Sequence, residues 1–283
     1  MSLSTDGPAR TGANRRTYPR PRPATSDDYV DFCLFLQQLC GIELLQYKRP
    51  QMERRLRSFY AQRGVTDLRD SFPALRGDAT HLSELLDRVT INVSQLWRNP
   101  EQWDLIEAKL IPALAERGGI NAWSAGCSYG AEAYTLAALC HLAGAGSRLR
   151  VTIHGTDIDR RMIARARRGR FSEEDARSAP RAKLLAGFAE TEGNWQAKPG
   201  LMAMTSFELG DLLTMSPRPG SYDLILCRNT VIYFNEPIRD QLHARLASAL
   251  RPGGFLMVGS TERVAHAAEL GLASAYPFIY RKS

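Results

Sequence analysis

The 283-residue chain has no apolar run of membrane-spanning length, and its opening residues MSLSTDGPAR lack the apolar h-region of a secretory signal. These absences predict a soluble, cytoplasmic protein without direct membrane insertion. The five cysteines (Cys33, Cys40, Cys127, Cys140 and Cys227) are odd in number and form no C-x-x-C pair, and the five histidines show no ligand spacing. Reduced thiols and no bound metal are therefore expected. The glycine loop AGCSYG, residues 125–130, lacks the full G-x-G-x-x-G, which counts against a nicotinamide dinucleotide enzyme. Residues 1–25 hold almost no large apolar side chain and are rich in Pro, Arg, Gly, Ser and Thr, so a disordered tail is expected there.

The rest of the composition, 44% apolar and 24% charged, is that of a soluble globular protein. The net charge of +7 is concentrated in the tail and between Lys48 and Arg63. A basic surface of this kind suits nucleic acid or an acidic protein, and charge alone does not choose between them.

Ser26-Asp27-Asp28 reads as a cap before Tyr29, Phe32, Phe35, Leu36 and Leu39, apolar residues at helical intervals. In KRPQMERRLRSFYAQRG, Met52, Leu56, Phe59 and Tyr60 form an apolar stripe that leaves Arg54, Arg55 and Arg57 outside. That basic face is either merely solvated or a docking face for an acidic helical partner. Two more helices are expected near 66–75 and 79–89, giving a helical domain over 26–90. A junction and a Pro100-led helix fill 91–119.

From residue 120 to 283 strands and helices alternate, with strands at 121–125, 150–155, 222–227 and 255–259 and helices at 131–143, 160–168 and 237–250. The fold class this predicts is α/β, a doubly wound, mainly parallel sheet with helices on both faces. Within 171–207 a helix is expected at 181–189, and GNWQAKPGLMAMTSFELG reads as short antiparallel strands inserted in the sheet.

Ligands of such a sheet sit beyond the carboxyl ends of its strands. Asn121 to Ala137, NAWSAGCSYGAEAYTLA, is a strand, a loop of small residues and a helix start, so a ligand can approach the backbone at Gly126 with Glu132 beside it. Asp157 ends the second strand, where an acid commonly accepts two hydrogen bonds from a ribose diol; capping is the alternative use. Asp211-Leu212 precede the next strand of the series, and Cys227-Arg228-Asn229 leave it as DLILCRNTVIYF. Buried polar residues there need partners, which a ligand or tertiary contacts must provide. The order of these features matches the plan of S-adenosylmethionine-dependent methyltransferases, and RPGGFLMVG (251–259) resembles its fifth strand.

NVSQLWR (92–98) before a proline-led helix, WSAGCSYGAEAYTLA, GTDIDRRMIARARRGRFSEED and CRNTVIYF together resemble the CheR family of chemotaxis receptor methyltransferases, from about residue 28 to the end. The resemblance implies methyl transfer from S-adenosylmethionine to glutamate side chains on the cytoplasmic helices of chemoreceptors. The products would be a glutamyl methyl ester and S-adenosylhomocysteine, and the enzyme a monomer. It further implies that Arg98 and Tyr233 hold the substrate carboxylate, and that Asn92, Ser94 and Arg98 approach the cofactor from the helical side. Glu132 would meet the ammonium of the methionine moiety, Asp157 the ribose, and Asp211-Leu212 with Cys227-Arg228 the adenine region, beside Gly126 and Asn229. Lys48, Arg49, Arg54, Arg55 and Arg57 would contact acidic receptor helices. The subdomain at about 171–207 would be the family's β module, which in some members grips a receptor tail peptide.

Three positions depart from the family pattern. Gly130-Ala131-Glu132-Ala133-Tyr134 stands for the usual G-E-E-P-Y, Ser94 for threonine, and Asp211 for asparagine. The rival readings are a methyltransferase of this fold acting on another substrate such as nucleic acid, and a cofactor-binding regulatory protein with little turnover. The absence of NPPY-like and nucleophilic-cysteine motifs from RNTVIY counts against the first.

Overall fold

The computed structural model describes residues 27–89, 94–144 and 149–283. The tail expected to be disordered and Asn92 lie outside the described residues.

Helix α1 (Asp28–Cys40) starts where the Asp27 carboxylate accepts the Tyr29 amide at 3.1 Å and ends at Gly41, φ +82°. It packs with α2 (Arg49–Ala61), α3 (Phe72–Gly77) and α4 (Ala79–Val89). Phe32, Leu36, Met52, Leu56, Tyr60 and Leu85 supply the core of this layer, as their three-and-four spacing requires. Helix α5 (Pro100–Leu105) runs through a π-helical stretch, Ile106–Leu110, into α6 (Ile111–Ala115).

The following strands are β1 (Gly119–Ala125), β2 (Arg150–Asp157), β3 (Arg170–Ser172), β4 (Phe188–Thr191), β5 (Asn194–Ala197), β6 (Thr205–Leu209), β7 (Tyr222–Cys227), β8 (Leu250–Val258), β9 (Leu272–Tyr276) and β10 (Ile279–Lys282). Between them lie α7 (Ala131–Ala143), α8 (Arg160–Arg168), α9 (Glu173–Ala176), α10 (Arg181–Gly187), α11 (Pro199–Met204) and α12 (Glu236–Ala249). The large sheet has the order β6-β2-β1-β7-β8-β10-β9, parallel except where β10 runs against both neighbours. Its two faces bury separate cores, one around Trp103, Tyr134 and Leu136, the other around Trp123, Ile225 and Leu246. The chain leaves β1 for β2 and later returns to its other side as β7, which puts the topological switch point between the ends of β1 and β7.

The expected run of antiparallel strands through GNWQAKPGLMAMTSFELG needs correction. Only its start pairs that way, as β5 between β3 and β4 in a three-stranded sheet. Pro199 opens α11, and TSFEL becomes β6, the edge strand of the large sheet, parallel to β2. Phe207 explains the switch: it stands beside Gly155 of β2, where a Cβ would come within 2.6 Å of the ring, and packs 5.5 Å from Tyr134. The hairpin β9–β10 had no counterpart in the sequence reading.

His243 of α12 is fully buried, and neither ring nitrogen has a hydrogen-bond partner among the described residues. Burial pushes its pKa down from 6.5 to about 4, with Arg239 adding to the shift. As pH falls through that window the unfolded chain takes up a proton that the folded chain refuses. The associated stability is present above pH 6.5 and lost toward pH 4, about 3 kcal/mol in all. Urea melts at neutral and mildly acid pH should therefore show a steeper loss for wild type than for His243→Leu; equal slopes would refute the assignment.

Candidate active site

The site is built where β1 and β7 end. The loop after β1 turns through Gly126 (φ +77°), Ser128 (φ +49°) and Gly130 (φ +86°). The Gly126 and Cys127 amides both donate to the Thr156 carbonyl at 2.9 Å, which folds the loop over the end of β2. The Ser128 amide donates to Asp157 Oδ2 at 2.7 Å, and the Asp159 amide to Oδ1 at 2.9 Å. Asp157 is thus held by two backbone donors, each oxygen keeping capacity for another bond. Burial raises its pKa, and those hydrogen bonds partly offset the rise.

Glu132 lies in the first turn of α7, its Oε1 accepting from Ser124 Oγ at 2.8 Å and its Oε2 lying 3.4 Å from Arg228 Nη1. Burial raises its pKa, opposed by Arg228 and Ser124. Arg228 has a side chain only 3% exposed. Its Nη2 donates to the Arg98 carbonyl (2.7 Å), Asn99 Oδ1 (3.1 Å) and Gln102 Oε1 (2.7 Å). The guanidinium also lies 5.2 Å from the Trp103 ring centroid. This one side chain joins the end of β7, the start of α7 and the turn before α5.

Asn229 follows at φ +57°, its amide donating to Glu262 Oε2 at 2.7 Å and its buried Oδ1 having no hydrogen-bond partner among the described residues. A short 3-10 turn, Val231–Tyr233, then presents Tyr233. Burial raises the Tyr233 pKa, with Arg55 and Arg98 opposing the shift, so the phenol stays protonated at neutral pH. Arg55 of α2 reaches within 5.4 Å of the Tyr233 ring centroid.

Ser94, Arg98, Gly126, Glu132, Asp157, Arg228, Asn229 and Tyr233, all read as site residues from the sequence, line one cavity of about 980 Å³ counted to its mouth. The helical layer closes it with Ile42, Tyr47, Met52 and Val89. The two layers are fastened beside it by Lys48 N–H to the Tyr233 carbonyl (2.8 Å), Asn235 N–H to the Gln46 carbonyl (2.9 Å) and the Tyr47–Phe234 ring contact (4.8 Å).

Other expected site residues lie elsewhere. Asp211 lines an adjoining cavity that shares Ile42 and Ile158 with the first, and Leu212 is core. Cys227 is fully buried in that same core and does not reach the cavity wall, because alternation in β7 turns it away. Arg228 joins Glu132 and the residue 98–102 turn, not the neighbourhood of Asp211-Leu212. In the basic set, Arg49 is paired with Asp27 and Glu53, and Arg57 with Asp28 and Glu53. Arg54 is exposed, Lys48 half-buried, and Arg55 turns in toward Tyr233. The sequence reading missed Glu262 and the inward role of Arg55; the one available signal for Glu262 was an acid four residues beyond the end of an apolar strand.

The wall suits S-adenosylmethionine. It offers carboxylates for an ammonium and a ribose diol, a guanidinium for a carboxylate, a carbonyl oxygen of Asn229 that has no partner among the described residues, and apolar Ile42, Ile158 and Phe234 against which a flat ring can pack. Gly126 makes room for Thr230 in the wall, since a Cβ there would meet Thr230 Oγ1 at 2.6 Å. A doubly wound sheet with this loop, an acid at the end of β2 and a helical cover defines an S-adenosylmethionine-dependent methyltransferase.

Comparison with known proteins gives the family. Residues 27–90 match the CheR methyltransferase all-alpha domain, and residues 92–275 match the CheR methyltransferase SAM binding domain. The chain belongs to the CheR methyltransferase family. It is 34% identical to a chemotaxis protein methyltransferase of Listeria innocua over 92% of this chain and 99% of that one. It is 27% identical to chemotaxis protein methyltransferase 1 of Pseudomonas aeruginosa, over 84% of this chain and 91% of the relative. No helix among the described residues is long and apolar enough to cross a membrane, and among them no group of three or more His, Cys, Asp or Glu is arranged to hold a metal ion.

Proposed function

We propose that the protein methylates glutamate side chains on the cytoplasmic helices of chemoreceptors, giving glutamyl methyl esters. The observation that carries this reading is the chemistry of the cavity wall. Among the described residues it contains no histidine or lysine, and the one thiol among them, Cys127, is held protonated by burial and by the nearby charges of Asp157 and Glu132. Glu132 is bound to Arg228 and Ser124, and Asp157 to two amides. The described residues of this wall thus offer no imidazole, amine or thiolate as general base, which fits a nucleophile already ionised at neutral pH, as a glutamate of ordinary pKa about 4.3 is.

S-Adenosylmethionine supplies an electrophilic methyl group carried on a sulfonium. The protein's task is alignment. In this reading Arg98 grips the substrate carboxylate through two parallel hydrogen bonds, and the neutral Tyr233 phenol donates one more. Holding the carboxylate in line contributes up to about 7–11 kcal/mol of barrier reduction at the favourable limit. Esterification removes the negative charge that Arg98 holds, so the product is released from the same contact that bound the substrate.

Glu132 and Asp157 serve the ammonium and the ribose, with Ser94, Gly126 and Asn229 completing the cradle; Asp211 serves the adenine end through the adjoining cavity. Lys48 and Arg54 are the members of the basic set left for acidic receptor helices, a contact that weakens with salt. The edges of the sheet β3-β5-β4 offer a place for a receptor tail peptide to add as a strand.

The test is transfer of labelled methyl from S-adenosylmethionine to chemoreceptor cytoplasmic fragments, followed by mild alkali. Base-labile label is expected, with turnover ~10²–10³-fold lower in Arg98→Ala, the range for removing one preorganised charge stabiliser. Cofactor binding without label on receptors of the same cell would overturn the enzyme reading in favour of the regulatory one. Salt-sensitive nucleic-acid binding with label on nucleic acid would favour another substrate.

A further inference from the structure

Glu262 stands in the turn after β8 and is only 3% exposed. Its Oε2 accepts the amides of Gly259 (2.6 Å) and Asn229 (2.7 Å), and its Oε1 accepts the amide of Ile232 at 3.3 Å. Among the described residues no cation pairs with this carboxylate, so backbone donors carry its charge. A carboxylate that only closed its own turn would need nothing beyond Gly259. The bonds to Asn229 and Ile232 instead cross 33 and 30 residues to the segment that leaves β7.

That segment is conformationally demanding. Asn229 sits at φ +57°, and Asn229, Thr230, Tyr233 and Phe234 all face the cavity. Gly259 completes the fit, because a Cβ there would lie 2.6 Å from Glu262 Oε2 and 3.0 Å from the Asn229 amide. The three residues interlock, and no room remains for the Asn229 backbone to relax toward them.

We propose that Glu262 is a positioning residue for methyl transfer: its buried carboxylate fixes the Asn229–Tyr233 segment so that Tyr233 and Asn229 meet the reacting groups. This rests on the glutamate-methylation reading for its turnover readout. Glutamine has the same shape but turns an amino group toward backbone donors, so Glu262→Gln opposes donor with donor at Asn229 or Ile232. Gly259→Ala keeps the carboxylate and pushes it out of place.

In the full chain, Glu262→Gln is expected to fold and to lose ~10²-fold in kcat, the cost of a displacement of about 1 Å at a catalytic group. Its Kd for S-adenosylhomocysteine, measured by calorimetry, should rise by ~10-fold or less, because Asn229 is one of several groups in the cofactor cradle whereas Tyr233 meets the reacting carboxylate. The 15N–1H resonances of Asn229 and Ile232 should shift upfield as their carboxylate acceptor is lost. A folded Glu262→Gln with kcat within twofold of wild type would overturn the proposal. If Glu262→Gln does not fold, Gly259→Ala decides by the same kcat and Kd criteria. If wild type itself forms no ester, the substrate reading fails, and the two amide resonances alone decide: unchanged positions in Glu262→Gln overturn the role of Glu262.

Discussion

Arg228→Met is expected to weaken binding of S-adenosylhomocysteine by ~10²-fold or more and to destabilise the fold by about 3–5 kcal/mol, as removal of one partner from a buried ion pair does. Arg228 and Glu132 are 3% and 12% exposed, so neither charge is well served by water once the other is gone. Burial already raises the Glu132 pKa, and the Arg228 charge is the foremost influence opposing it. Without Arg228 the Glu132 charge loses its buried counter-charge, which costs stability and pushes its pKa further up, so it holds the ammonium proposed to bind there less well. The same substitution strips a donor from the Arg98 carbonyl and from Gln102 Oε1, both at 2.7 Å. The turn between Trp97 (φ +54°) and Asn99 (φ +59°) then loses one of the contacts that hold Arg98 at the cavity, the 2.9 Å bond from Trp103 Nε1 to the same carbonyl remaining. A double variant, Arg228→Met with Glu132→Gln, should recover much of the stability, since no unpaired charge stays buried, while affinity remains low. Thermal melts and calorimetry separate the two. Unchanged affinity in Arg228→Met, or a double variant no more stable than the single, would refute this account of the pair.

Arg228 also shows where sequence reasoning reaches and where it stops. A polar triplet directly after an apolar strand announced that Arg228 and Asn229 needed partners, and both line the cavity. Which partners could not be read, because Glu132, Arg98 and Gln102 are 96, 130 and 126 residues away. Cys227 was grouped with them by adjacency, yet alternation along β7 puts its side chain in the core. The doubly wound sheet was legible from period and order. β6 was not, since TSFEL is too short to declare its neighbour, and its place depends on Gly155 leaving room for Phe207. Charge on α2 was visible, but its distribution was not: Asp27, Asp28 and Glu53 neutralise Arg49 and Arg57, and Arg55 turns to Tyr233. Glu262 escaped because its partners are the backbone amides of Gly259, Asn229 and Ile232, and an acid four residues past a strand does not by itself announce them.

Gly126→Ala is expected to lower turnover by ~10²-fold through Thr230 rather than through the cofactor alone, the scale of a shift of about 1 Å near the reacting atoms. Two effects act at once. At φ +77° an added Cβ is strained by roughly 1–2 kcal/mol whatever surrounds it. The same Cβ would lie 2.6 Å from Thr230 Oγ1 and 2.9 Å from its Cγ2, so Thr230 must move. Its neighbours are Arg228, whose carbonyl accepts from Thr230 Oγ1 at 3.2 Å, and Asn229 at the cavity wall. Thr230→Ala removes both clashing atoms and leaves only its Cβ, 3.3 Å from the new methyl carbon. The double variant should therefore regain most of the lost turnover while keeping the φ penalty, visible as a lower melting temperature than wild type. Methyl transfer and calorimetric affinity, measured on both variants, distinguish the causes. Turnover restored without affinity would mean that Gly126 leaves room for the cofactor and, separately, for Thr230. Neither restored would place the whole effect on the backbone conformation and remove Thr230 from the explanation.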